Sequence, residues 1–288
     1  MPSDAVVPAI SPAALGRVRL PRFAALTGST LLGLLLVLVV LAGTLLAPVL
    51  TGADPAALGT DMLAPPTAEH PFGTDDLGRD VFARVLYGGR VSLLVGLFAA
   101  VLSVGLGMGV GMAAGFFGGA LDEALMRVTE VFQILPKLLV AVVVVAMIGG
   151  GTGNEILVIG LLSWPATARV IRGRVQVLRH EEFIAAAAMS GASWVRILWR
   201  HILPNIVPYF VVSASLQVAS AVLSESFLSF LGLGDTAHPS WGYLLQQGQL
   251  YIEDAWWLTT FPGIALAMMI LGLNLIGDGL GTRAGRRA

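Results

Sequence analysis

The sequence predicts an all-α integral membrane protein with six transmembrane helices. Three observations carry that prediction. Mean hydropathy is +0.82. Hydrophobic residues make up 56% of the chain and charged ones 12%, against roughly 25% charged in soluble domains. Six stretches reach or approach the span length of about 20 apolar residues: 28–50, 91–115, 122–149, 155–173, 205–233 and 258–280.

The elements follow in order. A polar leader, 1–27, carries Arg17, Arg19 and Arg22. The apolar run behind it exceeds the roughly 7 to 15 residues of a cleavable signal, so 28–50 is read as a retained first span. Residues 51–90 form an external segment too long for a plain connector. Its HPFGTDDLGRDVFARVLYGGR reads as a Pro/Gly turn and a short amphipathic helix with Val81, Val85 and Leu86 on one face. That helix either lies at the interface or leads, capped, into the second span.

The five-helix core covers 91–280. In its first helix Gly105, Gly107, Gly109, Gly111 and Gly115 give small-xxx-small spacings that allow close helix approach. Pro136, Pro165 and Pro262 enter three spans, where each removes a helix hydrogen bond and predicts a bend. Trp241, Tyr243, Tyr251, Trp256 and Trp257 suit a headgroup belt or a substrate mouth. A tail, 281–288, ends the chain.

Charge placement orients the spans. Twelve arginines (17, 19, 22, 127, 172, 174, 179, 196, 200, 283, 286 and 287) share one side if the N-terminus is inside. The other side holds only Arg79, Arg84 and Arg90. By the positive-inside rule both termini are cytoplasmic. Ionisable groups in or near spans are Glu130, Lys137, Arg169, Glu225 and Asp278, each costly in lipid and therefore a candidate for function. Glu130 and Lys137, seven apart, would share one helix face, with partners on other helices. Glu225, beside Ser224 and Ser226, is the strongest candidate to line a polar cavity. Asp278 and Arg169 fit the inner interface.

Several chemistries are excluded. Cysteine is absent, which removes disulfides and thiolate sites. The sole lysine, Lys137, follows Pro136 inside a span, so there is no P-loop. No His-Glu-x-x-His occurs, and His70, His180, His201 and His238 stand singly. Between the fourth and fifth spans lies a polar excursion, 174–204, including EEFIAAAAMSGASWVRILWRHILPN. An Ala-rich helix reaches a turn at Gly191, Ser193 caps a second helix bearing Arg196 and Arg200, and Pro204 closes it.

Here Ala186-Ala187, Gly191 and Leu203-Pro204, with thirteen positions from Gly191 to Pro204, resemble the EAA loop of bacterial ABC importer permeases. Ala185 stands where that family has Glu; Glu181 and Glu182 lie just upstream. HPFGTDDLGRDVFARVLYGGRVSLLVG, FLSFLGLG with PSWG, FPG and NLIGDGL resemble the dipeptide/oligopeptide/nickel permeases of that family. The resemblance implies a type I importer permease fold. It also implies a coupling element of Glu182, Ala185, Ala186, Ala187, Gly191, Ala192, Ser193, Leu203 and Pro204 that docks on cytoplasmic ATPases. Implied partners are two ATPase subunits, a second related permease and an external binding protein, with ATP and Mg bound by the ATPases and nothing by this chain. Nucleic acid has no place in it. The expected location is a bacterial inner membrane and the expected cargo short peptides, with nickel or another small solute as the alternative. Glu130, Lys137, Ser224 and Glu225 are the pathway candidates. A secondary transporter using Glu130, Glu225 and Asp278 is the competing class.

Overall fold

A bilayer offers no partners to backbone N–H and C=O groups, so a chain this apolar must satisfy them within helices. The computed structural model describes residues 28–285. The leader with Arg17, Arg19 and Arg22 lies outside them, as do Arg286 and Arg287 and the side chain of Arg283. Five helices are long and apolar enough to cross a membrane, with a bent pair as a sixth.

The first predicted span is divided into α1 (Gly28–Leu45) and α2 (Ala47–Thr51). Pro48, in the first turn of α2, has no N–H to return to the Thr44 carbonyl, and the Arg90 guanidinium donates to the Thr44 and Leu45 carbonyls instead, at 3.0 and 3.3 Å. Helix α3 runs Val81–Phe117, 37 residues, or roughly 55 Å. It starts ten residues before the predicted second span, so the short helix at 81–90 is the capped lead-in and not a separate interfacial element. Asp80 is the reason, accepting the Ala83 N–H at 2.7 Å.

The third predicted span is broken. Helices α4 (Gly119–Ile134) and α5 (Lys137–Ile148) meet at 82°, because Pro136 cannot donate and Leu135 takes an extended conformation before it. Glu130 and Lys137 therefore lie on different helices and share no face. Gly149 and Gly151, at φ of 93° and 134°, make the turn into α6 (Thr152–Arg179). Pro165 sits inside α6 and Pro262 inside α11 (Trp257–Gly285), and both helices continue through them, so of these three prolines Pro136 alone interrupts its span.

After α6 come α7 (Glu182–Met189), α8 (Trp194–Ile197), a π-turn (Leu198–Ile202) and α9 (Leu203–Phe230). Pro204 does not close the helix bearing Arg196 and Arg200. The π-turn carries that helix into α9, the Leu203 N–H reaching the Leu198 carbonyl, and Pro204 falls in the first turn of α9. A proline is tolerated there because its missing donor would be unpaired anyway. Helix α10 (Trp241–Gly248) and α11 (Trp257–Gly285) complete the described chain.

At the α10 end, Val37, Val40, Val81, Val85, Val222, Trp241, Leu244, Trp257 and Leu258 form one apolar cluster. Trp241 and Trp257 are 1% and 4% exposed, with indole N–H groups on the Val85 and Thr74 carbonyls at 2.8 and 3.0 Å. These two are core residues and not a headgroup belt; of the tryptophans there, only Trp256 is exposed.

The broadest helix contact joins α3 and α6. A Cβ added at Gly107, Gly111 or Gly115 would meet the Trp164, Ala168 or Arg172 carbonyl at 2.6 to 2.8 Å, whereas Gly105 and Gly109 face open space. Three of the five glycines predicted to form a packed face do so. Gly111→Ala is expected to cost about 1–3 kcal/mol through overpacking, and Gly109→Ala less than about 0.5 kcal/mol. Thermal unfolding of the two variants in detergent checks the difference; equal midpoints would contradict it.

Candidate functional site

The excursion folds as a compact helical hairpin on the ends of α3 and α6. Ile184 and Ala187 of α7, Ile197 of α8 and Ile202 pack on Ile171, Val175, Met112 and Phe116. Helix α7 ends in a Schellman motif: the Gly191 N–H bonds the Ala188 carbonyl at 3.0 Å and the Ala192 N–H the Ala187 carbonyl at 3.1 Å. Gly191 has φ +79° and open space around its Cα, so backbone conformation alone requires glycine there. Ser193 then caps α8, its Oγ accepting the Arg196 N–H at 3.4 Å. The predicted coupling residues are thus brought together, Leu203 and Pro204 following at the start of α9.

What the hairpin presents outward is an apolar crest flanked by exposed Glu182, Arg196 and Arg200. Glu182, Ala185 and Ala186 are exposed, Ala187 and Ala192 half-buried. Around them Phe183, Trp194, Val195 and Trp199 are exposed, and Met189 is 84% exposed. Polar ties anchor the base. Arg172 donates to both Asp122 oxygens at 2.6 and 2.7 Å, and Arg179 donates to the Phe116 carbonyl at 2.8 Å. Such a rigid footing with an exposed apolar crest is suited to transmitting force to or from another protein.

The pathway candidates are not brought together. Glu130 is half-exposed, pairs with Arg127 on its own helix at 3.9 Å, and lines an open groove with Asp122, Glu123 and Arg172. Its partner is therefore not on another helix. Lys137 reaches Ser220 of α9 at 3.3 Å. Glu225 is 0% exposed and lines no open cavity. It accepts from Ser226 and Ser229 at 3.2 and 2.8 Å, with Ser92 of α3 and Ser240 also against it. Ser229 lies 3.4 Å from Glu155 as well. Serine hydroxyls from three elements satisfy a carboxyl that lipid would not. Ser224 is buried and bonds the Ser220 carbonyl at 2.8 Å. Asp278 and Arg169 are exposed. The three acids of the secondary-transporter reading, Glu130, Glu225 and Asp278, make no common network among the described residues.

Two functional-looking groups go beyond the residues singled out from the sequence, which include only Ser224 of the first. Ser213, Gln217, Ser220 and Ser224 recur along α9 at intervals of four, three and four, a polar stripe. That helical spacing was visible in the sequence. Gln217 donates to Ser103 of α3 and the Ser163 carbonyl of α6, each at 2.8 Å. The second group is a latch at the α10 end. Asp75, nearly buried, binds Arg79 Nε at 2.7 Å and the N–H groups of Leu77 and Arg79 at 2.9 Å, and pairs with Arg84. Arg84 continues to Gln247 of α10 at 2.7 Å. No local spacing signals a contact between residues so far apart in the chain.

A third tie joins α6 to the loop behind α9. Burial pushes the Asp235 carboxyl up, but hydrogen bonds from His238, Thr152 and the Ala237 and His238 N–H groups outweigh it and hold the group below its ordinary range. A lowered folded-state value adds stability that is complete at neutral pH and lost as acid protonates the group below about pH 4. The stability gap between wild type and Asp235→Asn should therefore close on acidification, measured as unfolding midpoints across pH. Arg84→Met, which takes the donor from Gln247 Oε1 and leaves buried Asp75 with Arg79 as its remaining close cation, should cost about 1–3 kcal/mol. A further Asp75→Asn change should add less than its effect in wild type, since the two residues are coupled.

Comparison with known proteins agrees with this geometry. Residues 105–288 match the family model described as "Binding-protein-dependent transport system inner membrane component". The dipeptide transport system permease protein of Alkalihalophilus pseudofirmus is 38% identical over 252 residues, covering 87% of this chain and 83% of that one. The glutathione transport system permease protein of Shigella flexneri serotype 5b is 44% identical over 216 residues, covering 75% and 71%. Among solved structures, a chain of the inward-facing MetNI methionine ABC transporter superposes with TM-score 0.57 at 16% identity, covering 70% of this chain and 96% of that one, a likeness of fold. The chain belongs to the family of binding-protein-dependent transport system inner membrane components and is a multi-pass permease subunit.

Proposed function

We propose that the chain forms half of the membrane pathway of an ATP-driven importer of short peptides, with the 182–204 hairpin as its coupling element. The observation that carries this reading is the hairpin itself: an apolar crest held by a Schellman turn and capped by Ser193, whose Met189, Val195 and Trp199 stay exposed among the described residues. A permease subunit is non-catalytic, so energy enters from two partner ATPases, which bind the ATP and Mg. Closure of the ATPases would press on α7, and α3 and α6 would carry the displacement through the membrane.

The other half is a second, related permease. Helices α4 and α5 support this, since their only buried residues are Thr129, Ala141 and Val145. An external binding protein would deliver cargo at the α10 end. Relatives named for dipeptide and glutathione transport favour short peptides over nickel. Arginines 127, 172, 174, 179, 196 and 200 gather at the hairpin end, which supports placing that end, and both termini, in the cytoplasm. The three arginines of the opposite end each have a structural partner in Asp75, Gln247 or the α1 carbonyls.

Ala186→Glu puts a charge on the exposed crest without touching the core. It should cut ATPase co-purification and transport by more than about 10-fold, the loss of an interface hot spot, with the unfolding midpoint unchanged. Ala185→Glu restores the residue type found in the EAA loop at that position and should keep both. Co-purification surviving Ala186→Glu, or equal loss from the two variants, would refute the coupling role.

A further inference from the structure

The chain has one lysine, and it lies where a lysine is hardest to keep. Lys137 opens α5 at the break of the third span, with α4 on one side and the apolar run of α5 on the other. An ammonium group within a membrane-spanning segment needs an anion or several good acceptors. Among the described residues it has one hydrogen-bond partner, the neutral Ser220 Oγ at 3.3 Å. An ammonium carries three donors, so the anchor leaves donors over.

The acidic residues of neighbouring elements are engaged elsewhere. Glu130 pairs with Arg127, and Asp122 holds Arg172 in a two-point contact. Glu225 is enclosed by serines, and Glu155 shares Ser229 with it. Ser220 belongs to the α9 stripe of Ser213, Gln217, Ser220 and Ser224, of which the first three are half-buried. Lys137 thus overlies the polar side of a membrane helix, and α4 and α5 around it are mostly exposed in this chain.

A cation fixed on such a stripe repels cationic cargo and favours cargo carrying a free carboxylate. We propose that Lys137, steadied by Ser220, is the group in this half of the pathway that receives the carboxylate of the translocated peptide. This rests on the peptide-importer reading above. It goes further by naming the residue that discriminates and the chemical group it discriminates for. A bare divalent metal would meet the same charge as a barrier.

The test uses the complete complex (both permeases, the ATPases and the binding protein) in proteoliposomes with tri-alanine as cargo. Lys137→Met and Lys137→Gln should lower ATP-driven turnover about 10-fold or more, the worth of a charge-assisted hydrogen bond. The half-saturating concentration of loaded binding protein should stay unchanged, because docking occurs outside. Lys137→Arg keeps the charge and should retain at least half of the wild-type turnover. Wild-type turnover in both neutral variants would overturn the proposal. So would an arginine variant as impaired as the neutral ones, since charge would then not be the requirement. Loss of the second permease from purified Lys137→Met complexes would also overturn it, making Lys137 an assembly contact. If the wild-type complex does not accumulate tri-alanine, the peptide reading itself fails and this proposal falls with it.

Discussion

Where α3 meets α6 the two backbones touch with almost nothing between them. Gly107 faces Trp164 and Thr167, Gly111 faces Ala168 and Ile171, and Gly115 faces Arg172 and Val175. In lipid no solvent drives helices together, so contact area and close approach must do it. The rest of the molecule is arranged from this pair. The far ends of α3 and α6 supply Met112, Phe116, Ile171 and Val175 as the floor of the hairpin. The near end of α3 carries Arg84 to α10, and α6 begins at Thr152, which holds Asp235.

Buried polar groups set the second constraint. Each would be costly in an apolar interior without partners, and three sites solve this by tying separate elements together. Glu225 draws hydroxyls from α3, α9 and the approach to α10. Gln217 joins α9 to α3 and α6. Asp75 and Arg84 connect the segment before α3 to α10. Lys137 departs from the pattern, with a single neutral acceptor. That under-paired cation is the observation from which the proposed carboxylate contact is argued.

Much of the hairpin's local geometry is legible in the sequence because its signals are local. A left-handed glycine after an alanine helix, a serine cap and a proline in a first turn are each encoded within a few residues, and Gly191, Ser193 and Pro204 carry them. The surroundings of the pathway candidates are less legible. Glu225 looked like a cavity lining because the sequence shows its neighbours along the helix but not Ser92 and Ser240 across from it. Trp241 and Trp257 looked like a belt for the same reason, their acceptors at Val85 and Thr74 being more than 150 positions away. Arg84 is one of three outer arginines in the string, and only the fold sets Asp75 and Gln247 beside it.

By itself the sequence determined how many apolar stretches the chain has, where the polar hairpin interrupts them, and which residues shape that hairpin. Hydropathy, capping and turn chemistry act over one to a few turns, and they survive being read as a string. Tertiary structure alone decided that Pro136 breaks its span while Pro165 and Pro262 do not. It alone decided which three of five glycines face α6, and that Glu225 is enclosed while Lys137 is not. These outcomes depend on what stands on the far side of a helix, and in a membrane bundle that neighbour is supplied by chain tens to hundreds of residues distant.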